Sequence, residues 1–266
     1  MALTTQGVSI AAHSTLPTLW QFRYSHYNEK ARWALDFKRV PHIRRSVLPG
    51  PHVPRMLWLT RQKAVPVLVM NGETIADSTR IIAALEAAHP DPPLYPRDDA
   101  DRRRALELEE FFDEELGPYL RRAWFFETLS DPRFCAAQLS AGAPPASQRV
   151  FRLAFPLIAA VMKADMKIDA AGAAVGRAKT IAALDRLEAE LQPSGYLVGD
   201  QFTVADLTAA ALFSPVVMPP EFPYPLLTAL PPPAARLRDT LAPRRGFQWV
   251  AELYRHHRGA SAEVPR

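Results

Sequence analysis

A single cysteine, Cys135, is all that 266 residues contain, so neither an internal disulfide nor a Cys-x-x-Cys redox pair can form. That usage fits a reducing compartment, and the expected location is the cytoplasm. Long apolar runs are also missing. No stretch of about 18 apolar residues occurs, and the best candidate, residues 203 to 217, contains Asp206 and runs into prolines. Residues 1 to 15 have no basic segment followed by a continuous apolar one, so they do not read as a secretory signal, and no membrane association is expected. Charge of one sign is scarce too: 32 basic residues face 28 acidic ones, for a net charge of +4. The basic residues are dispersed and no stretch interleaves them with aromatics, which argues against a nucleic-acid partner. Arg102-Arg103-Arg104 reads as the solvated face of a helix. Eleven glycines are too few for a low-complexity chain.

Proline is abundant. Its 26 copies are roughly twice average usage and predict many chain reversals. A hydrophobic fraction of 48% and a charged fraction of 23% are those of an ordinary globular protein, long enough for two domains. Residues 17 to 22 read as a strand, 26 to 39 as a helix, 43 to 48 as a second strand and 53 to 60 as a short helix. Pro66 to Met70 and Glu73 to Ala76 form strands joined by an Asn71-Gly72 turn, and Asp77-Ser78 starts a helix that runs to about Ala88. This βαβ, α, ββ, α order is that of a thioredoxin-like domain, expected over 16–90. Four prolines within residues 89–96 mark a linker, expected over 91–98. Beyond it strand signals vanish. Stripes such as Leu108, Phe111, Phe112, Leu116, Tyr119 and Leu120, or Ile181, Leu184, Leu187 and Leu191, predict an all-helical domain over 99–258. Residues 140 to 148, and Pro215 to Pro233 with its eight prolines, read as loops.

Ser25 falls where the first strand gives way to the first helix. A helix N-terminus presents unpaired N–H groups and a partial positive charge, so it favours an anion, and a serine there adds one more donor. Held against such a site, a thiol would ionise more readily. A plain N-cap is the competing reading. Four further motifs bear on this choice: Ala64-Val65-Pro66-Val67-Leu68, Asp77-Ser78, Gly50-Pro51-His52, and Gly199-Asp200-Gln201-Phe202-Thr203-Val204-Ala205-Asp206-Leu207. In the last, Thr203 and Asp206 make a capping box, and Phe202 with Leu207 a hydrophobic staple.

In order and spacing these motifs resemble the cytosolic glutathione S-transferase superfamily, over about residues 16 to 214. The resemblance implies a thioredoxin-like domain joined to an all-helical one. It also implies a cis Val65-Pro66 peptide whose Val65 backbone pairs with the cysteinyl part of glutathione, and a γ-glutamyl carboxylate held by Asp77 and Ser78. Ser25 stands seven residues before Arg32, with Lys30 between them, which is the serine-type spacing of theta- and zeta-like members. The implied thiol-activating hydroxyl is therefore Ser25, with Tyr24 as main rival and Tyr27 and Asn28 close by. His52 and Lys63 are the candidates for the glycyl carboxylate, and the interval from His52 to Pro66 is one residue shorter than the family pattern. Asp206 is structural. The expected activity is attack of the glutathione thiolate on an electrophilic, largely apolar second substrate, a detoxification-type conjugation that needs no metal. Phe111, Phe112, Tyr119, Trp124, Phe125 and Phe126 are candidates for that substrate's apolar wall. The alternatives are a binding or interaction module without turnover, or a transferase using another low-molecular-weight thiol, since the Ala, Arg and Pro bias suggests a GC-rich genome. A homodimer is expected from the family.

Overall fold

The structure is a computed structural model that describes residues 16–227 and 229–265. Four short strands, β1 (Thr18–Gln21), β2 (Ile43–Ser46), β3 (Val67–Met70) and β4 (Glu73–Ala76), form one sheet in the order β2-β1-β3-β4. β1 runs parallel to β2 and antiparallel to β3, and β3 pairs antiparallel with β4 through the Asn71-Gly72 turn. Both turn residues have positive φ, 53° and 82°, the geometry of a two-residue hairpin whose twist matches the strands. Helices α1 (His26–Phe37) and α3 (Ser78–Ala88) pack against each other, while α2 (Val53–Thr60) lies by β4, where Met56 closes a small core with Val67 and Ala76. The Val65-Pro66 peptide is cis, as the motif implied.

The proline-rich stretch after α3 is anchored at several points. Lys38 donates to the carbonyls of His89 (2.7 Å) and Pro92 (2.9 Å) and pairs with Glu86 (2.6 Å). Glu86 in turn accepts from the backbone of Leu94 and Tyr95, and Leu94 is fully buried.

Helices follow. α4 (Asp99–Phe111) continues through a π-helical turn, Phe112–Leu116, into α5 (Gly117–Thr128). Then come α6 (Pro132–Ser140), α7 (Pro145–Met166), α8 (Ala170–Glu190), α9 (Val204–Val217), α10 (Pro232–Leu241) and α11 (Arg245–His257). The sequence reading of loops over 140–148 and 215–233 was too generous. α7 begins at Pro145, since proline fits a first helical turn whose N–H has no partner in any case, and α9 continues through Pro215 to Val217. The stripe over α8 also holds only in part, for Leu184 and Leu187 are buried whereas Ile181 is 41% exposed. The capping box of α9 is complete: buried Asp206 accepts from the backbone of Leu197 and Thr203 and from the Thr203 hydroxyl, each at 2.8 Å.

One continuous core joins the two parts, from Leu19 and Leu68 of the sheet through Trp33 of α1 to Leu207 and Phe213 of α9 and Tyr254 of α11. The chain then returns to the sheet. Past α11, His42 and Val264 pair by backbone at the edge of β2 (2.8 Å), so the tail beyond 258 closes on the first part rather than ending with the helices.

Candidate functional site

Ser25 caps α1 from an extended backbone (φ −95°, ψ 128°), and its hydroxyl accepts from the Asn28 N–H at 3.5 Å. A bond that long is at the limit of what counts as one, so the hydroxyl is only weakly committed to capping. Asn28, fully buried, is the stitch of the site: Oδ1 accepts from the Phe22 N–H (3.3 Å) and Nδ2 donates to the Val65 carbonyl (3.4 Å). The first turn of α1 is thereby tied to the start of β3. The register supplies the third component. The β3–β4 pairing ends with Val67 against Ala76, so Val65, two residues before it, and Ser78, two residues after it, leave the same end of the hairpin. Asp77, at φ 83°, is the N-cap of α3 and accepts from Thr79 and Arg80 N–H at 3.0 and 3.2 Å. Ser78 is then the first helical residue, 3% exposed. Two helix N-termini, each with a serine, thus stand at the sheet end that carries Val65 and offer positive potential to an anionic ligand.

The other candidates lie nearby. His52 precedes α2, and its Nε2 meets the Lys63 carbonyl at 2.9 Å while its ring contacts Phe22 edge-on. Burial lowers the His52 pKa, against the opposing effect of the Lys63 carbonyl. The Lys63 ammonium crosses to Asp165 near the end of α7, in a pair exposed on both sides. The structure thus brings His52 and Lys63 together, with Lys63 already paired. Tyr24 is engaged elsewhere: its hydroxyl donates to the Pro225 carbonyl at 2.6 Å and its ring stacks on Phe222. Burial raises its pKa, against the opposing effect of Arg23.

Lys30 and Arg32, the basic pair of the motif, are fully buried and hold the frame. Arg32 reaches Glu29 (2.8 Å), Gln21 (2.7 Å) and the carbonyls of Phe22 and Arg23 (3.1 and 3.0 Å), which fixes the loop that carries Ser25. Lys30 binds Thr79 and Glu109, both at 2.8 Å, and Asp113 in the π-helical turn, docking the helical part onto α1 and α3. Tyr27 donates to the Asp113 carbonyl at 2.7 Å. Burial and Asp113 together raise its pKa far above the ordinary tyrosine value.

A strap formed by residues 219–227 covers the β1–α1 loop. Gln21 donates to the Tyr224 hydroxyl, and the guanidinium groups of Arg23 and Arg32 lie 4.8 and 5.1 Å from the Tyr224 ring centre. Between strap and helices remains a cavity of about 30 Å3 lined by Tyr24, Trp124, Phe125, Met218, Phe222 and Leu226, among others. Of the six aromatics predicted for an apolar wall, only Trp124 and Phe125 reach it; Phe112 is fully buried core. A larger hollow of about 430 Å3, between Pro93 and Asp101 on one side and Val198 to Thr203 on the other, is lined by none of the predicted site residues.

Two family models divide the chain in the same order as the architecture. Residues 19–93 match the glutathione S-transferase N-terminal domain, and residues 107–239 match the glutathione S-transferase C-terminal domain. The chain belongs to the glutathione S-transferase superfamily. Among curated relatives it is 25% identical over 201 residues to FtsZ-localized protein A of Caulobacter vibrioides, covering 74% of this chain and 75% of that protein. It is 32% identical over 91 residues to a probable maleylacetoacetate isomerase of Caenorhabditis elegans, covering 34% of this chain and 42% of that one. Among solved structures it resembles a glutathione S-transferase of Methylobacterium radiotolerans in complex with glutathione sulfonate, at 25% identity and a TM-score of 0.53, covering 88% of this chain and 93% of that one.

Among the described residues no cluster of His, Cys, Asp and Glu could hold a metal ion, and no helix is long and apolar enough to cross a membrane. Cys135 is buried, and its thiol is pushed up to about 11 by burial, which leaves it a poor nucleophile. Sequence reasoning missed four contributors, namely the strap residues Phe222 and Tyr224, the buried His26, and Arg121 on α5. For Arg121 a signal was present: it stands four residues after Gly117, inside an aromatic-rich helix whose inner face should be apolar.

Proposed function

We propose that this chain binds glutathione across the N-termini of α1 and α3 and that Ser25 stabilises its thiolate for attack on an electrophilic substrate. In this reading residues 16–90 form the glutathione-binding domain, 91–98 the linker and 99–258 the helical domain. The convergence of Ser25 and Ser78 at the sheet end that carries Val65 supports it above all else. A γ-glutamyl carboxylate then meets the hydroxyl and N–H of Ser78 at the start of α3, a cysteinyl backbone lies along Val65, and the sulfur faces the Ser25 hydroxyl and the first N–H groups of α1. Asp77 contributes by capping α3, and His52 and Lys63 by receiving the glycyl carboxylate. Bond formation needs only the thiolate. Ser25 donates a positioned hydrogen bond rather than removing the proton itself. A cytoplasmic homodimer that conjugates electrophiles belongs to the same reading.

The test is Ser25→Ala. Because the cap bond is 3.5 Å long, its loss lowers stability by no more than about 0.5 kcal/mol, at the weak end of cap substitutions. The loss of one donor to the developing anion lowers the conjugation rate by about tenfold to a hundredfold at neutral pH, with glutathione affinity little changed. An unchanged rate in Ser25→Ala together with a lost rate in Tyr24→Phe overturns the assignment.

A second reading is supported by the strap. A cavity of about 30 Å3 holds a water molecule or two, whereas sites for small organic ligands span roughly 300–1,000 Å3. With the cleft so filled, and with a relative named for its localisation with FtsZ, an interaction module without turnover is the alternative. Affinity retention on immobilised glutathione, followed by a standard conjugation assay, separates the two. A thermal-shift screen across low-molecular-weight thiols identifies the thiol, since a ligand of the folded state raises Tm.

A further inference from the structure

We propose that Arg121 is a carboxylate-binding residue for the second substrate, so that the electrophile this chain prefers is an anion rather than a neutral apolar molecule. The inference rests on the glutathione-binding reading for the position of the reacting sulfur. Its geometry begins at Gly117, where an added Cβ would lie 2.1 Å from the Tyr27 hydroxyl, so the α5 backbone is packed directly on the Tyr27 ring that the first turn of α1 sends out. Arg121 is one helical turn later on the same face. It therefore stands over the turn that Ser25 caps.

Other interior arginines of this chain are paired: Arg258 with Glu29 and Asp36, Arg32 with Glu29, and Arg44 with Asp36. Arg121 is different. Its Nε is buried without a hydrogen-bond partner, and among the described residues no carboxylate pairs with its guanidinium. The acid whose charge acts on it, Asp165, is engaged by Lys63, and the adjacent Arg122 adds a like charge while donating to the Met166 carbonyl. Next to it His26, 3% exposed, also leaves its Nε2 without a partner. Burial and the Arg121 charge hold the His26 pKa down to about 3, so no second cation competes for an arriving anion. A guanidinium stays ionised even when buried, and an unpaired buried charge is unfavourable until a counterion arrives. The residue as a whole remains partly exposed, which leaves its fork a route to ligand. A planar carboxylate is the group that this fork fits.

The experiment compares a chloronitrobenzoate anion with its methyl ester as electrophiles at saturating glutathione. Thiolate attack forms a carbon–sulfur bond at the ring carbon and expels chloride, with no other reactant. Catalysed rates are divided by the uncatalysed rates of the same two compounds. Calorimetric binding of the unreactive nitrobenzoate and its ester provides a readout that needs no turnover. The wild type is expected to favour the anion by about tenfold or more, as one charge-assisted pair allows. Arg121→Gln lowers handling of the anion far more than that of the ester, so the preference is lost, while Arg121→Lys keeps part of it. Because the variant deletes an unpaired buried charge, its Tm is equal or higher, whereas a purely structural arginine would give a lower one. Anion-selective binding without turnover upholds Arg121 and refutes only the catalytic reading. Equal handling of anion and ester, an intact preference in Arg121→Gln, or weakened glutathione binding with the preference retained overturns the proposal.

Discussion

Replacing Arg258 with methionine tests whether the C-terminal tail holds the site loop in place. The Arg258 side chain is 2% exposed and binds Glu29 at 2.6 Å and Asp36 at 2.9 Å, both carboxylates being fully enclosed. Removing one partner of a buried pair costs about 3–5 kcal/mol, because the remaining charge loses its compensation. Here each acid keeps a second cation, Glu29 through Arg32 and Asp36 through Arg44, and Asp36 also retains the Ala262 N–H at 2.8 Å. The lower end applies, about 3 kcal/mol. For a chain of this size each kcal/mol lowers Tm by roughly 2–4 °C, which gives a fall of about 6–12 °C. Acid should narrow the difference. Burial opposes ionisation of Asp36, yet Arg258 and Arg44 outweigh it and hold its pKa below the ordinary value. A depressed carboxylate pKa contributes stability that is present above the unfolded value and lost as pH falls through the folded one. The gap between wild type and variant therefore shrinks below about pH 4. Because Glu29 bridges Arg258 to Arg32, and Arg32 fixes the Phe22 and Arg23 carbonyls, hydrogen exchange at residues 22–25 should speed up in the variant. Calorimetric melting across pH reads the first two effects. A Tm drop under about 2 °C, less than one kcal/mol at this size, or a gap that stays constant into acid, refutes the reasoning.

Gly117→Ala should lower stability by about 1–3 kcal/mol through overpacking against Tyr27, and a double-mutant cycle with Tyr27→Ala should recover most of that loss in thermal melts. Tyr24→Phe removes the bond to the Pro225 carbonyl, so Tm falls by about 1 kcal/mol equivalent, limited proteolysis within 219–227 accelerates, and conjugation is not abolished. Lys63→Met breaks a pair exposed on both sides, which alters stability by less than about 1 kcal/mol; weaker glutathione binding by titration would assign the glycyl carboxylate to Lys63, and unchanged binding would leave it to His52.

Local signals read well from the sequence where one physical cause dominated. The Asn71-Gly72 turn, the Asp77 cap and the Thr203–Asp206 box depend on backbone geometry and side-chain reach within a few residues, and each occurs as expected. The π-helical turn at Phe112–Leu116 does not, because its apolar pattern equals that of a straight helix; what it adds is the placement of Asp113 against Lys30, 83 residues away. The sequence presents Lys30 and Arg32 as the basic pair that follows Ser25 and does not say where their charges go. Their burial depends on Glu109 and Asp113 arriving from α4 and the π-helical turn, and on carbonyls turned inward by the β1–α1 loop. The strap illustrates the same limit. Eight prolines announced an irregular segment, but that Tyr224 would lie against two arginines and accept from Gln21, 203 residues away, follows from the fold alone.

The strap also decides how the two readings of the site relate. The residues that would hold glutathione stand at the sheet end, at the starts of α1 and α3 and at the two ends of α2, and the strap meets this part through Gln21, Arg23, Tyr24 and Arg32. Phe222 and Leu226, by contrast, line the small cavity beside the strap. On the proposed reading thiol binding and turnover would be separable: the first would need the frame set by Asn28 and Arg32, the second would need the strap to yield. Few polar bonds hold it down, among them Tyr24 to Pro225 and Gln21 to Tyr224, and net hydrogen bonds contribute about 1 kcal/mol each. A ligand that pairs with Arg121 gains a charge-assisted contact of comparable or greater strength. In the proposed reading that contact, made on α5 one turn before Trp124 and Phe125 of the cavity wall, adds to the binding of an anionic electrophile and not to that of a neutral one, so substrate charge would weigh on whether this member of the superfamily turns over.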